Sequence, residues 1–350
     1  MCSSTFSAKQ PAQRTPLYRA ASRFVVYFFR LCLSSLNRLL MKATISRRSL
    51  LLAALARAAA QEATFSTSVD VVTLLATVRN RTGGIVNDLN QDDFVLEEDG
   101  RPQTIHYFSR ESNLPLTLGL LVDTSRSQLH VLEPERKASY AFLDRMLREG
   151  DQAFVASFDI NVQMLQGLTN SRELLSAAMD RLQIPKRVST LLFDAIHQTS
   201  DDPMRKQKGR KAFILLSDGV DVGSNTTLGA AIEFAERADT LIYSIWYHGN
   251  FKPWWVLGGP ALVASQAMYR AKGKAAMQQL ARETGGRFFE VTADHSIESI
   301  YAEIEEELRN QYSFGYTPDH QATDQQFREI KLTTKRPGLI VQTRAGYYPR

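Results

Sequence analysis

Residues 115–127 read PLTLGLLVDTSRS, and residues 211–219 read KAFILLSDG. Each stretch is an apolar run that ends in an acid beside small polar residues. A strand of that composition must be covered on both faces, which suits the centre of a parallel sheet. Helical patterns lie between and after these runs. Glu133–Arg148 sets Leu143, Met146 and Leu147 on one face, Glu173–Leu182 stops before Pro185, and Thr190–Gln198 opens a further helix. Ala153–Phe158 and Val162–Leu168 read as strands around the Asp159-Ile160-Asn161 turn. Leu228–Ala238 and Ala275–Thr284 read as helices, Leu241–Trp246 and Arg287–Val291 as strands. Ser296–Asn310 is amphipathic, with Ile297, Ile300, Ile304 and Leu308 inward and Glu305-Glu306-Glu307 as an outer face. This alternation predicts an α/β fold: a doubly wound, mainly parallel, Rossmann-like sheet with helices on both faces. Residues 249–272, with Trp254, Trp255 and Gly258-Gly259-Pro260, carry mixed signals and read as a long surface loop or excursion. The two tryptophans fit either an exposed contact surface or ordinary burial.

The flanks read differently. Val69–Val78 is β-branched and apolar, Phe94–Glu97 is a short strand, and Asp99-Gly100 is a hairpin signal with Gln103–Phe108 returning. Beyond Asn310, Tyr312, Phe314 and Tyr316 alternate, and Phe327–Thr334 and Leu339–Arg344 flank the Arg336-Pro337-Gly338 turn. Each flank offers about three strands, too few for a sandwich alone. Together, 61–112 and 311–350 predict one small antiparallel, Ig-like β-sandwich around an inserted 113–310 domain.

Charge is distributed unevenly. Of 42 Lys and Arg residues, ten lie in residues 1–60, where there is no acid. That leaves 32 basic residues against all 37 acidic ones over 61–350, a net charge of −5. A nucleic-acid partner therefore lacks electrostatic support. Both cysteines, Cys2 and Cys32, are in the same leader, so the body carries no disulfide, thiolate metal site or cysteine nucleophile. Met41 opens a segment with the parts of an export signal. Lys42, Arg47 and Arg48 are its basic region, Leu50–Leu55 its apolar stretch, and Ala58-Ala59-Ala60 a cleavage site before Gln61. Ser46-Arg47-Arg48-Ser49-Leu50-Leu51 resembles a twin-arginine signal, with the general secretory route as the alternative. Residues 1–40 read as an upstream extension. No apolar run of eighteen residues follows position 60, so the mature chain is expected to lack an integral membrane span.

The two strand-end acids carry the chemistry. Ligands of doubly wound sheets bind outside the carboxyl ends of the strands. Asp123, Ser125 and Ser127 follow the first run, Asp218 follows the second, and Thr190 lies at a helix start between them. Five oxygen donors with no nitrogen or sulfur suit Mg²⁺ or Mn²⁺, with waters retained. Singly, Asp-x-Ser-x-Ser and Asp218-Gly219 also fit simple turns, and Thr190 fits a helix cap. Their joint placement at one sheet edge favours a metal site. No phosphate-binding loop, nucleophile elbow or His-Glu-x-x-His motif is present. The six histidines lack ligand spacing, and His197, four residues from Phe193, reads as packed.

Asp123-Thr124-Ser125-Arg126-Ser127, Thr190 before Leu191-Leu192-Phe193-Asp194-Ala195-Ile196, and Leu215-Leu216-Ser217-Asp218-Gly219 resemble the three parts of the metal-ion-dependent adhesion site of von Willebrand factor A-type domains. The likeness covers about residues 113–310. The flanking Glu98-Asp99-Gly100-Arg101-Pro102-Gln103 and Lys335-Arg336-Pro337-Gly338-Leu339 resemble the exported bacterial VWFA-related acidobacterial domain family. The resemblance implies that Ser125, Ser127 and Thr190 touch the metal directly or through water. Asp123 and Asp218 would coordinate it or hold its waters. It further implies a protein ligand whose Asp or Glu completes the Mg²⁺ or Mn²⁺ shell, in a periplasmic or secreted, non-enzymatic protein. Arg126 departs from the glycine common in relatives, Gln128 from methionine, and Val188-Ser189 from glycines. A structural envelope scaffold with a vestigial metal site is the rival reading, and a metal-dependent envelope hydrolase a further one.

Overall fold

In a computed structural model, residues 71–110, 114–129, 131–185, 189–247, 260–319 and 325–349 are described, with side chains in the last helix-loop segment from Ala267 onward. The leader reading at 41–60 and Trp254–Trp255 lie outside the described residues.

The chain first forms β1 (Val72–Arg79), β2 (Phe94–Glu98), β3 (Arg101–Pro102) and β4 (Ile105–Ser109). The central part follows as β5 (Leu116–Asp123), α1 (Leu132–Met146), β6 (Gln152–Phe158), β7 (Val162–Thr169), α2 (Arg172–Met179) and α3 (Leu192–Asp201). It continues through β8 (Arg210–Ser217), α4 (Leu228–Arg237), β9 (Leu241–Trp246), α5 (Pro260–Thr284), β10 (Phe288–Glu290) and α6 (Ile297–Arg309). Last come β11 (Tyr312–Tyr316), β12 (Arg328–Thr334), β13 (Ile340–Thr343) and β14 (Gly346–Tyr347).

Six strands build one sheet in the order β10-β9-β8-β5-β6-β7, parallel except for β7. The expected doubly wound α/β architecture is thus present. From β5 the chain runs outward to β6 and β7, returns to β8, and then runs outward the other way. The reversal lies between β5 and β8, which is where such sheets bind ligands. Every residue of β5 and β8 is buried, which explains why both read as unbroken apolar runs. Leu118, Leu120 and Ile214 pack on one face with Phe142 of α1 and Tyr301 of α6, whose rings stack at 4.5 Å. Leu121, Phe213 and Leu215 face the other way, against Ile196, Ile232 and Met277. Gly119 sits mid-strand because a Cβ there would lie 2.4 Å from the Phe154 ring and 2.7 Å from Phe213.

The two remaining sheets each mix strands from both flanks. Their orders are β13-β1-β11-β4 and β14-β12-β2-β3, and all their described pairings are antiparallel. Between them lie Leu74, Val78, Phe94, Leu96, Phe314 and Leu332. Phe94 meets Phe314 edge-on at 4.8 Å. Asp99 and Gly100 both have positive φ (48° and 74°), as the Asp-Gly hairpin signal requires. Yet the returning strand is not β4. The strand that returns from the turn to pair with β2 is the two-residue β3, Arg101–Pro102, while β4 crosses to the other sheet to pair with β11.

Two expectations are corrected. Residues 260–272 are helical rather than loop, because α5 begins at Pro260. Glu307 does not belong to the outer face of α6: it is 1% exposed, paired with Arg79 of β1 and, at 2.6 Å, with Arg287. Its neighbours are arginines from other elements, which a helical wheel does not display.

Glu236 of α4 gives the fold a pH dependence. Burial, then the charge of Glu283, pushes its carboxyl from 4.5 up to about 8; Glu233 adds to this, while Arg344 and Arg237 oppose it. Between these two values the folded chain keeps a proton that the unfolded chain releases. Stability therefore falls as pH rises through that window. Glu236→Gln removes this loss, so in urea unfolding at pH 8.5 it should exceed wild type by about 2 kcal/mol. Equal stability at that pH would refute the assignment.

Candidate metal centre

β5 and β8 run side by side in parallel, with Val122 opposite Leu216, so the loops after them leave the same sheet edge. Asp123 is the last residue of β5 and is fully buried. Both its oxygens are held. The Ser125 backbone N–H donates to Oδ1 at 2.8 Å, and the Ser217 hydroxyl donates to Oδ2 at 2.6 Å. Ser217 in turn accepts from the Gly219 N–H at 2.9 Å, so it ties the two strand-end loops together. Ser125 precedes a 3₁₀ turn, Arg126–Gln128, which brings the Ser125 and Ser127 hydroxyls to 2.9 Å. Two hydroxyls at that distance share one proton between them and leave lone pairs for a cation.

Asp218 is half-buried. Its loop is fixed by the Val220 N–H donating to Oδ1 at 3.0 Å and by the Trp246 indole N–H donating to the Asp218 carbonyl at 2.8 Å. Gly219 has φ +77°, and a Cβ there would stand 2.2 Å from the carbonyl of Gly273. Helix α5 presses on this loop through Gly273, whose own Cβ would stand 2.4 Å from the Asp218 carbonyl.

Thr190 is not a helix cap. It forms an isolated antiparallel bridge with Val222 (3.1 and 2.9 Å), and the cap of α3 is Leu191, without a side-chain bond. The bridge joins the Thr190 segment to the loop following Asp218. Asp159 joins it to the first loop, because its carbonyl accepts the Leu191 N–H at 3.0 Å and its carboxylate accepts the Thr124 hydroxyl at 2.8 Å. Asp123, Ser125, Ser127, Thr190 and Asp218 thus come from three loops cross-linked at one edge of the sheet.

Sequence reading placed Ser217 in the motif without a role and missed Asp159, Gly273 and Glu135. Glu135 lies on α1, where an acid ordinarily faces solvent, yet it is 2% exposed and its Oε1 has no hydrogen-bond partner. Burial, then Asp123 and Asp218, drives its carboxyl well above the usual range. Asp123 itself is pushed up to about 7 by burial and then by the Asp218 charge, against the pull of the Ser217 and Ser125 hydrogen bonds. The Asp218 charge therefore disfavours ionisation of Asp123, and the charges of both acids disfavour that of Glu135. A divalent cation in front of Asp123 and Asp218 would relieve this repulsion. Among the described residues, no three His, Cys, Asp or Glu side chains converge as a metal cage. The donor set is instead two carboxylates and three hydroxyls, which fits a hard cation that keeps part of its water.

His197 stacks on Phe234 at 3.6 Å and contacts the Thr226 hydroxyl at 3.1 Å, as a packed residue. Among the described residues no helix is long and apolar enough to cross a membrane.

No protein-family model and no curated protein matches the chain. Solved structures similar to it include proximal thread matrix protein 1 of the mussel byssus, at 13% identity and a TM-score of 0.46, covering 61% of this chain and 51% of that one. A form of that protein with a zinc-occupied MIDAS motif matches at 14% identity and a TM-score of 0.45, over 62% and 50% of the two chains. The vWF domain of the type V pili tip protein Mfa5 from Porphyromonas gingivalis matches at 13% identity and a TM-score of 0.44, over 56% and 95%. The present chain thus spans about half the length of the mussel protein.

Proposed function

We propose that this chain is a divalent-cation-dependent protein-binding module of an exported protein. The 113–310 segment would carry the site, and 61–112 with 311–350 would form its supporting sandwich. One observation supports the reading most. Asp123 is buried at the sheet's reversal point with both oxygens held in place, beside a Ser125–Ser127 hydroxyl pair. Mg²⁺ or Mn²⁺ would be held by Ser125, Ser127 and Thr190, with Asp123 and Asp218 coordinating it or its waters. When bound, the cation supplies an open coordination position for an outside carboxylate. The chain's own residues orient the donors: Ser217 fixes Asp123, Trp246 fixes the Asp218 backbone, and Asp159 fixes the Thr190 loop. The protein ligand would present the Asp or Glu. Export through the 41–60 segment would place the module in the periplasm or outside the cell.

The test is Mn²⁺ uptake by the purified chain, followed by the electron spin resonance of free Mn²⁺. Wild type should take up the ion and gain about 2.7 kcal/mol of stability at a concentration ~100-fold above Kd. Asp123→Asn preserves the side chain's shape and should lose both effects. Wild type that takes up no Mn²⁺, with stability unchanged by the ion, would leave the vestigial-site scaffold as the better description.

A further inference from the structure

Among the α5 residues whose side chains are described, Ala267 onward, the buried face runs through Gly273, Ala276, Met277 and Leu280. Residues Ala267–Lys272 are all exposed, including Met268 and Tyr269 at about half exposure. At about 1.5 Å rise per residue, these six residues carry the helix roughly 9 Å beyond its contact with the Asp218 loop. In a doubly wound sheet the helices run antiparallel to the parallel strands, so the exposed turns of α5 that precede Gly273 stand above the edge that holds the candidate metal centre. Tyr269 and Arg270 precede Gly273 by four and three residues. They therefore continue the face that touches Asp218 and Gly219.

The opposite rim has matching chemistry. Arg126 is exposed between Ser125 and Ser127. Leu129 is 52% exposed just beyond them, and Val222 is 47% exposed opposite Thr190. Arg126, Arg270 and Lys272 form no salt bridge among the described residues. Arg126, Arg270 and Lys272 thus stand as exposed cations on loops and a helix turn beside an edge whose own acids are Asp123, Asp159 and Asp218, and they offer partners to carboxylates that flank the one at the cation.

We propose that the projecting turns of α5 and the Arg126 loop form one docking face for an acidic protein segment. One carboxylate of that segment meets the cation. Flanking carboxylates meet Arg126 on one side and Arg270 with Lys272 on the other, and Leu129, Val222 and Tyr269 cover the segment's apolar atoms. The proposal rests on the metal-dependent reading of the site and adds to it the class of partner.

Two synthetic peptides test it with the full chain in Mn²⁺. One carries a single aspartate among glycines; the other carries the same aspartate flanked on both sides by glutamates. Wild type should bind the second about tenfold more tightly at low salt, with the preference shrinking as salt rises. Arg270→Gln combined with Lys272→Gln should cut the preference at least about threefold while leaving Mn²⁺ uptake unchanged. Equal affinity for the two peptides in wild type, or full preference in the double variant, overturns the proposal while the metal reading stands. A wild type that takes up no Mn²⁺ overturns both.

Discussion

Replacing Arg79 with methionine should cost the folded chain about 3 kcal/mol, among the largest losses available from a single side chain. Arg79 is 7% exposed at the end of β1. Its guanidinium pairs with Glu307 of α6 and donates to the Gln342 amide oxygen of β13 at 2.7 Å. Glu307 is buried too, and burial already raises its carboxyl despite Arg79 and Arg287. Removing one cation leaves a buried carboxylate with Arg287 as its remaining partner, and an uncompensated buried charge is what makes such deletions expensive. Converting Glu307 to leucine in the Arg79→Met background should restore most of the loss, since the charge is then gone as well. Urea unfolding of wild type, the single variant and the double variant measures this. A loss under 1 kcal/mol for Arg79→Met would show that the pair is ornamental.

Gly273→Val should damage the metal centre from outside it. Even the first carbon of a side chain at 273 would stand 2.4 Å from the Asp218 carbonyl and 2.9 Å from the Gly219 carbonyl carbon. Those atoms are backbone, so relief requires the loop or the helix to shift by about 1 Å. Overpacking of this kind costs about 1–3 kcal/mol. The functional cost should be larger in proportion, because the displaced loop carries Asp218. We expect at least about tenfold weaker Mn²⁺ uptake, as for changes that misplace a ligand through its support. Tyr269→Ala, one turn earlier on the same helix, should leave Mn²⁺ uptake unchanged. If Gly273→Val binds Mn²⁺ as wild type does, the loop position is not what α5 controls.

The doubly wound sheet was legible because its central strands are buried on both faces. PLTLGLLVD and KAFILLSD advertise that condition over eight residues or more, and the acids at their ends mark the edge where a ligand sits. Other features depend on contacts between distant segments, which periodicity does not record. Glu135 and Glu307 look like solvent-facing helix acids until α1 and α6 are set against their neighbours. Gly273 falls just ahead of the helix read over Ala275–Thr284, and the reason for a glycine there appears only when Gly219 is brought against it. The Asp99-Gly100 hairpin was readable as a turn, but its partner was not. After Pro102 the chain leaves β2 and enters the opposite sheet. Helix α5 was half legible: its C-terminal part carries a buried face, while residues 267–272 are all exposed and so show no apolar periodicity.

The interleaving of the two flanks has a consequence for the order of events at the ribosome or the translocon. Beyond the short β2–β3 hairpin, the strand partners of β1, β2 and β4 belong to the last part of the chain. The Tyr312 hydroxyl closes on the Val86 carbonyl across 226 residues. A chain delivered amino end first must therefore hold β1 to β4 open while the whole six-stranded sheet is produced. For that interval Leu74, Phe94 and Leu96 have no layer to face. Such long-range closure is slow, and its waiting strands are the ones most exposed to wrong pairings. The central sheet needs none of them to pair its own strands, so it is the part able to consolidate first and serve as the surface on which the late strands find the early ones.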